Sequence, residues 1–434
     1  MSEHFDVLVV GAGPAGIAAA VRAAERDARV ALLDENPACG GQIWRKGAHQ
    51  PPTAMKWMAR LEAAPVKRLQ GWRVFANPGP GSLLAEHEAS GSTECAEFSY
   101  DKLILATGAR ERFLPFPGWT LPNVMGAGGL DAMARGGLPV SGKRIIVAGT
   151  GPLLLAVAAH LADRGAKILA ICEQAPMRRL AAFAVNLLSE PAKLAQGIAL
   201  RRATLGARFY SGCWPIAAKG NGTLESVTLQ QGGKKWDVPC DYLACGFHLV
   251  PNLELPTLLG CSVPNGFVAV DDLQQTSVPN VFCAGEPTGI GGVELAILEG
   301  QIAGLVATNR QGEAQVMIGA RRKGQRFTQA LDTAFALDPR LRELPSNETL
   351  VCRCEDVSFG TLREHSCARD AKLQTRCGMG PCQGRVCSAA TEFLFGWTTD
   401  SVRPPVLAAS ISSLVEAVAI TTEHISTGNR KDTA

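Results

Sequence analysis

The chain has 434 residues, 46% of them hydrophobic and 19% charged, with a formal net charge of +3. That length suits two or three domains with sizeable cores. The charge is too balanced to argue for nucleic acid or an anionic membrane surface. Residues 153–162 form the most apolar helix candidate and include His160; a spanning helix needs ~18 to 20 apolar residues. Fourteen cysteines would suit an oxidising compartment. Against this, the first strand is entered by Phe5-Asp6-Val7, which leaves no room for a signal peptide. A reducing, cytoplasmic location is therefore expected, with cysteines as ligands or core thiols.

Val7 to Val10 is a short β-branched run that meets Gly11-Ala-Gly13-Pro-Ala-Gly16 and an alanine-rich helix to about Arg26. Arg29 to Leu33 is a second strand, ending at Asp34-Glu35. This is one βαβ unit, with the first glycine for the tight turn and the second for close approach of a pyrophosphate. The third lets helix and strand pack, and the helix N-terminus faces the phosphates. Asp34 stands where a carboxylate accepts from ribose hydroxyls. Leu103 to Thr107-Gly108-Ala109 reads as a strand ending in a tight turn.

A second copy begins about 140 positions later, at Arg144 to Ala148 and Gly149-Thr-Gly151-Pro-Leu-Leu154, and ends at Cys172-Glu173. Leu154 replaces the third glycine, which should push helix and strand apart or reshape the phosphate site. Two readings stay open here, a bound nucleotide and a vestigial packing domain. If a nucleotide binds, the acid at 173 favours NAD or an adenine nucleotide over NADP. Arg178 and Arg179 could meet a phosphate or line a solvated face. Asn280-Val-Phe-Cys-Ala-Gly285-Glu286 is another strand and turn, and Gly291-Gly292-Val-Glu294 opens a helix. Residues 308–345 read as a helical connector, and the last ten residues or so are expected to fray.

Near the C-terminus stand Cys352-Arg-Cys354 and, after 27 intervening residues, Cys382-Gln-Gly-Arg-Val-Cys387. Four thiolates in two tight clusters are what a [2Fe-2S] centre needs, two sulfurs to each iron. Zinc and disulfides are the alternatives, but zinc knuckles more often use CxxC pairs. Cys377 competes as a ligand, and Cys367 more weakly. The duplicated region has no CxxC, so a thioredoxin-type disulfide is not expected. Cys240 and Cys245 read as buried thiols. His248 could orient a cofactor, or be structural. No Ser/His/Asp or paired-carboxylate constellation signals hydrolysis.

These residues resemble a known family. Gly11 to Gly16, Asp34, Ala106-Thr107-Gly108 and Phe282-Cys-Ala-Gly285-Glu286 are similar to the two-dinucleotide-domain flavoproteins related to glutathione and thioredoxin reductases. The resemblance implies an α/β fold with FAD on the first loop. The binding positions are Gly11, Gly13, Pro14, Ala15, Gly16, Asp34, Glu35, Ala106, Thr107, Gly108, Gly285 and Glu286. The second domain would use Gly149, Gly151 and Glu173. Glu286 stands where the family usually has Asp, with the same charge on a longer arm. Cys39-Gly-Gly41-Gln42-Ile-Trp-Arg45 follows Asp34 as the family's flavin-adjacent loop does.

A narrower resemblance covers nearly the whole chain. That loop, Val351-Cys-Arg-Cys-Glu-Asp356 and Thr375 to Arg385 look like the α subunits of multi-subunit amine and imino-acid dehydrogenases. The group includes opine oxidases, hydrogen cyanide synthase, D-hydroxyproline dehydrogenase and dye-linked proline dehydrogenase, and is related to the α subunit of sarcosine oxidase. The C-terminal part resembles the bacterioferritin-associated ferredoxin domain, with CxxxxC in place of its CxxC. The implied layout is an FAD domain over 1–112 and 270–307, a second nucleotide domain over 113–269, a connector over 308–345, and a small helical [2Fe-2S] domain over 346–434.

The resemblance implies a division of labour. A D-amino-acid-oxidase-like flavoprotein β subunit would oxidise the C–N bond, and this chain would pass electrons onward to an acceptor such as quinone. A small ferredoxin-like γ subunit and FMN at the subunit contact occur in the group. So does ATP or NAD in the second domain. No transmembrane segment is expected, and peripheral association with the inner membrane is compatible. The alternative is a freestanding NAD(P)H-dependent reductase, which needs a working second loop. A scaffold with dead nucleotide domains is disfavoured by the intact first loop.

Overall fold

The structure is a computed structural model that describes residues 2–44, 50–89, 91–188, 190–398 and 402–428. Arg45 of the flavin-adjacent loop and residues 429–434 of the expected frayed end lie outside them. The chain divides into two compact units. The first comprises residues 1–109, 251–328 and 400–434, and the second 110–250 and 329–399. The expected helical connector is the helix Gln311–Ala334, which begins in the first unit and ends in the second. The cysteine-bearing stretch 346–399 belongs to the second unit, and the final helix Ile411–Gly428 to the first.

The first unit is built on a seven-stranded sheet. Its parallel half runs Val66–Gln70, Val30–Asp34, Ser2–Val10, Ser92–Leu105, with Val281–Cys283 alongside the last. An antiparallel extension follows through Ser82–Ala89 and Trp72–Ala76. Val30–Asp34 is buried on both faces, as expected of a parallel strand covered by helices. The helix Pro14–Ala24 is almost entirely buried because it is alanine-rich and lies between the sheet and the helix Val293–Ala307. The latter helix carries Gly300 and Gly304 at one-turn spacing. A Cβ at Gly300 would stand 2.1 Å from the Ala15 carbonyl oxygen, and one at Gly304 2.3 Å from that of Ala19. The two helices thus meet backbone to backbone through small residues at the facing positions.

The second unit repeats the motif on a five-stranded parallel sheet, in the order Arg208–Ser211, Lys167–Glu173, Arg144–Thr150, Tyr242–Phe247, Val124–Gly126. A three-stranded antiparallel sheet, Cys213–Lys219, Ser226–Gln231 and Lys234–Pro239, packs with it. The cysteine-bearing piece is a hairpin of Leu350–Cys352 with Val357–Ser358, followed by the helices Ala368–Thr375 and Cys387–Phe395. It is anchored within this unit by Trp119 Nε1 donating to the Leu350 carbonyl at 2.6 Å and Arg110 Nε donating to the Arg385 carbonyl at 3.0 Å. Among the described residues no helix is long and apolar enough to cross a membrane.

Candidate functional site

The first glycine loop is shaped by two backbone approaches. Gly11 has φ +102°, and a Cβ there would lie 2.2 Å from the Ala106 carbonyl oxygen. A Cβ at Gly16 would lie 1.8 Å from the Gly11 carbonyl oxygen. Gly13, by contrast, faces open space. It stands at the start of the helix Pro14–Ala24, which has no side-chain cap. Free N–H groups at an uncapped helix start, beside an open glycine, fit a pyrophosphate.

The loop 39–44 folds back over this turn. Gly40 N donates to the Ala12 carbonyl at 2.8 Å, and a Cβ at Gly41 would come within 2.9 Å of Gly13 Cα. Trp44 is buried and Gln42 exposed. Asp34 is buried and already engaged. One carboxylate oxygen accepts from Ala12 N, and the other from Asn36 N and Nδ2, both at 2.7 Å. Glu35, the next residue, is exposed at the strand end.

Ala106-Thr107-Gly108 is clamped by a residue that carries no motif in the sequence. Asn252 Nδ2 donates to the Thr107 carbonyl at 2.8 Å, and Asn252 N donates to that of Gly108 at 3.0 Å. Thr107 Oγ1 returns a bond to the Asn252 carbonyl at 2.8 Å. Gly285, with φ +81°, sits against Ala15 at the helix start. It is held from below by Glu299, whose Oε2 accepts from Gly285 N and Thr288 Oγ1, each at 3.0 Å. Glu299 is itself paired with buried Arg321 at 3.4 Å. Neither Glu299 nor Arg321 has a sequence signature of its own; each is one charge within a helix.

Glu286 supplies the clearest vacancy for a ligand's hydroxyl. Its Oε1 accepts from Gly292 N at 3.2 Å, while Oε2 is buried with no partner. Burial pushes its carboxyl up to about 7, against the Gly292 N–H and with the Glu299 charge. A folded carboxyl at about 7 against an ordinary 4.5 contributes stability in full below pH ~4.5, lost as pH rises through ~7. Glu286→Gln should therefore raise the melting temperature of the flavin-free protein by roughly 5 °C at pH 8 and little at pH 4. Parallel melting curves for the two proteins across that range would sink the assignment.

Five of the six cysteines in the second unit's C-terminal piece come together. Cys354 and Cys382 have their sulfurs 3.7 Å apart. Those of Cys352, Cys377 and Cys387 lie within 4.8 Å of one another. The close pairs form between the two sequence segments and not inside them. Cys352 ends the first hairpin strand, whereas Cys354 sits in the turn and swings outward. Gly380 permits the approach, since a Cβ there would lie 2.4 Å from Cys354 Cβ. Cys352, Cys377 and Cys387 are buried, Cys382 is half-buried and Cys354 exposed. Burial raises the Cys382 thiol, but N–H groups of Val386, Gly384 and Arg385, together with Cys354, bring it below its ordinary value. Thiolate donors in this arrangement can hold an iron–sulfur cluster or zinc. All fourteen cysteines are free thiols. Cys367 stands apart as the exposed N-cap of Ala368–Thr375.

Residues 5–310 match the family described as pyridine nucleotide-disulphide oxidoreductase. The chain belongs to that family. It is an oxidoreductase of the flavoprotein type, and membership implies FAD binding. The chain is 30% identical to the HcnB component of hydrogen cyanide synthase of Pseudomonas protegens over 426 residues, covering 88% of this chain and 89% of the relative. It is 31% identical to one of the subunits of opine oxidase from Rhizobium meliloti over 438 residues, covering 90% and 81%. The fold is similar to that of L-proline dehydrogenase from P. horikoshii, with a TM-score of 0.69 at 18% identity over 95% of this chain and 80% of that one.

The second loop of this oxidoreductase differs from the first. Gly149 keeps the tight turn, with φ +141° and a Cβ position 1.9 Å from the Gly246 carbonyl oxygen. Gly151 faces open space, as Gly13 does. Leu154 is buried in the core with Ala127, Val147 and Ala244. Glu173 is buried and accepts from Thr150 Oγ1 at 2.8 Å, Gly151 N at 2.7 Å and Ala175 N at 2.8 Å. Arg178 is exposed, and Arg179 Nη1 donates to the Ala336 carbonyl at 3.0 Å. Cys240 and Cys245 are buried. Burial and the Arg112 charge lower His248 to about 4, so it is neutral at pH 7.

Proposed function

We propose that this chain is the electron-transfer subunit of a heteromeric dehydrogenase that oxidises the C–N bond of an amino or imino acid. A D-amino-acid-oxidase-like flavoprotein partner would carry the substrate pocket, and a small ferredoxin-like γ subunit could complete the complex. The observation that carries this reading is the convergence of Cys352, Cys354, Cys382 and Cys387 on the polypeptide that also carries the FAD loop. When bound, FAD takes an electron pair and a [2Fe-2S] cluster takes electrons singly.

The residues have defined tasks in this reading. Gly11, Gly13 and Gly16 admit the pyrophosphate, and Asp34 with Glu35 faces the ribose. Glu286 accepts from a flavin-chain hydroxyl through its unpartnered oxygen. Ala106, Thr107, Gly108 and Gly285 hold the backbone close to the flavin, with Gly41 and Gln42 above the loop. The exposed Cys354 end of the cluster is where an electron partner approaches, whereas Cys352 and Cys387 sit in a dry pocket. N–H groups aimed at Cys382 favour the electron-rich state and so raise the potential. The relatives named above support the substrate class, since their names specify opine oxidation and cyanide synthesis. An FAD domain over 1–112 and 270–307, a cytoplasmic setting and a quinone as final acceptor belong to the same proposal.

The deciding experiment is gentle purification of the tagged chain from its native host, with mass spectrometry of co-purifying proteins. A stoichiometric flavoprotein of the D-amino-acid-oxidase type is the expected result. A lone chain that contains FAD and iron and bleaches on adding NADH would overturn the subunit reading.

A further inference from the structure

We propose that the second dinucleotide fold of this chain is closed to nicotinamide nucleotides by the chain's own segment 335–338. In such folds the adenosine ribose lies at the end of the second strand, beside the terminal acid and the residue after it. This polypeptide contains that position twice, so one copy serves as a reference for the other. In the first copy the residue after the acid is Glu35, and it is exposed. In the second copy it is Gln174, and its exposure is 0%.

What covers Gln174 is the backbone that follows the long helix Gln311–Ala334. Gln174 Nε2 donates to the Ala336 carbonyl at 3.3 Å and to Thr150 Oγ1 at 2.9 Å, while Oε1 accepts from Asp338 N at 2.9 Å. Thr150 Oγ1 is also 3.2 Å from the Phe335 carbonyl oxygen. Arg179, which could have met a phosphate, is turned onto the Ala336 carbonyl. The ring of Phe335 packs edge-on against Phe183, with centroids 5.3 Å apart. The strap is therefore tied by a buried amide, a surface guanidinium and an aromatic contact, all on elements that line the adenosine path. Glu173 accepts from three protein donors, as Asp34 does in the first copy, so the two copies differ at the residue after the acid and not at the acid itself.

A dinucleotide following the usual path would have to break these bonds and expose Phe335. A site whose open form is rare binds more weakly by that fraction, and several buried hydrogen bonds correspond to ~100-fold or more. The family's pyridine nucleotide thus does not fit the residues of this second domain. The strap's contacts all lie within the second unit and involve none of the cysteines of the cluster.

The test uses the full chain with FAD bound. Equilibrium dialysis against NADH, and separately NADPH, should show no saturable binding up to ~1 mM. The double variant Gln174→Ala with Arg179→Ala should gain a site at least ~10-fold tighter than that limit. If the double variant fails to fold, Arg179→Ala alone carries the comparison, because its side chain lies at the surface. One NADH bound per wild-type chain below ~100 μM would overturn the inference. So would a folded variant that binds no better than wild type. Neither outcome touches the iron–sulfur signal, so this inference and the subunit reading fail separately.

Discussion

Cys382→Ser is expected to abolish the iron–sulfur chromophore and the reduced-state paramagnetic signal, and to drop bound iron to background. Cys354→Ser should do the same. These two sulfurs form the outer pair, 3.7 Å apart, and among the described residues no third thiol stands with them in a group that could hold a metal. The inner pair is different, because Cys377 lies within the same 4.8 Å set as Cys352 and Cys387. Cys387→Ser should therefore keep part of the signal with altered spectral parameters, as Cys377 takes the vacant position. Cys377→Ser should change little, and Cys377→Ser with Cys387→Ser should lose the cluster. Iron analysis with low-temperature electron paramagnetic resonance reads all five proteins. A wild-type signal in Cys382→Ser, or zinc in place of iron in the native protein, would refute the assignment.

Gly300→Ala is expected to destabilise the first unit by ~3 kcal/mol or more and to weaken FAD at least ~10-fold. The added methyl would begin 2.1 Å from the Ala15 carbonyl oxygen, well inside any contact distance. That neighbour is backbone in a buried helix and cannot turn aside. The helices must separate, which drags the phosphate loop away from Gly285. The adjacent Glu299 would move with them and loosen its hold on Gly285 N and Thr288. Gly319→Ala is the control. It lies inside the helix Gln311–Ala334, where a Cβ would meet nothing within 4 Å. It should stabilise by ~0.5–1 kcal/mol through helix propensity. Melting curves and flavin content measure both; equal behaviour of the two variants would remove the packing argument.

Much of the first unit was legible because its signals are local. A β-branched run, three glycines at fixed spacing and a terminal acid specify a strand, a turn and a helix start without reference to distant residues. The same holds for the second copy and for the cysteine spacing. The supporting groups were not legible. Asn252 clamps a turn 145 positions away in the chain, and Glu299 acts only through the partner it meets in three dimensions. Leu154 in place of a glycine reads in the sequence as a wedge between helix and strand or a reshaped phosphate site; which core it enters, beside Val147 and Ala244, only the fold decides.

The residues alone determined that this chain has two glycine loops with terminal acids and a thiol set near its end. Each of those signals sits within a few tens of residues, where chain geometry follows from residue type. Only the tertiary structure decided which thiols pair, because Cys354 joins Cys382 across a turn that Gly380 permits. Only the tertiary structure decided that the two loops differ in access. Glu35 is open and Gln174 is sealed by a segment more than 160 positions further on. A covering segment leaves no mark on the motif it covers, because burial is a property of the folded neighbours and not of the residue.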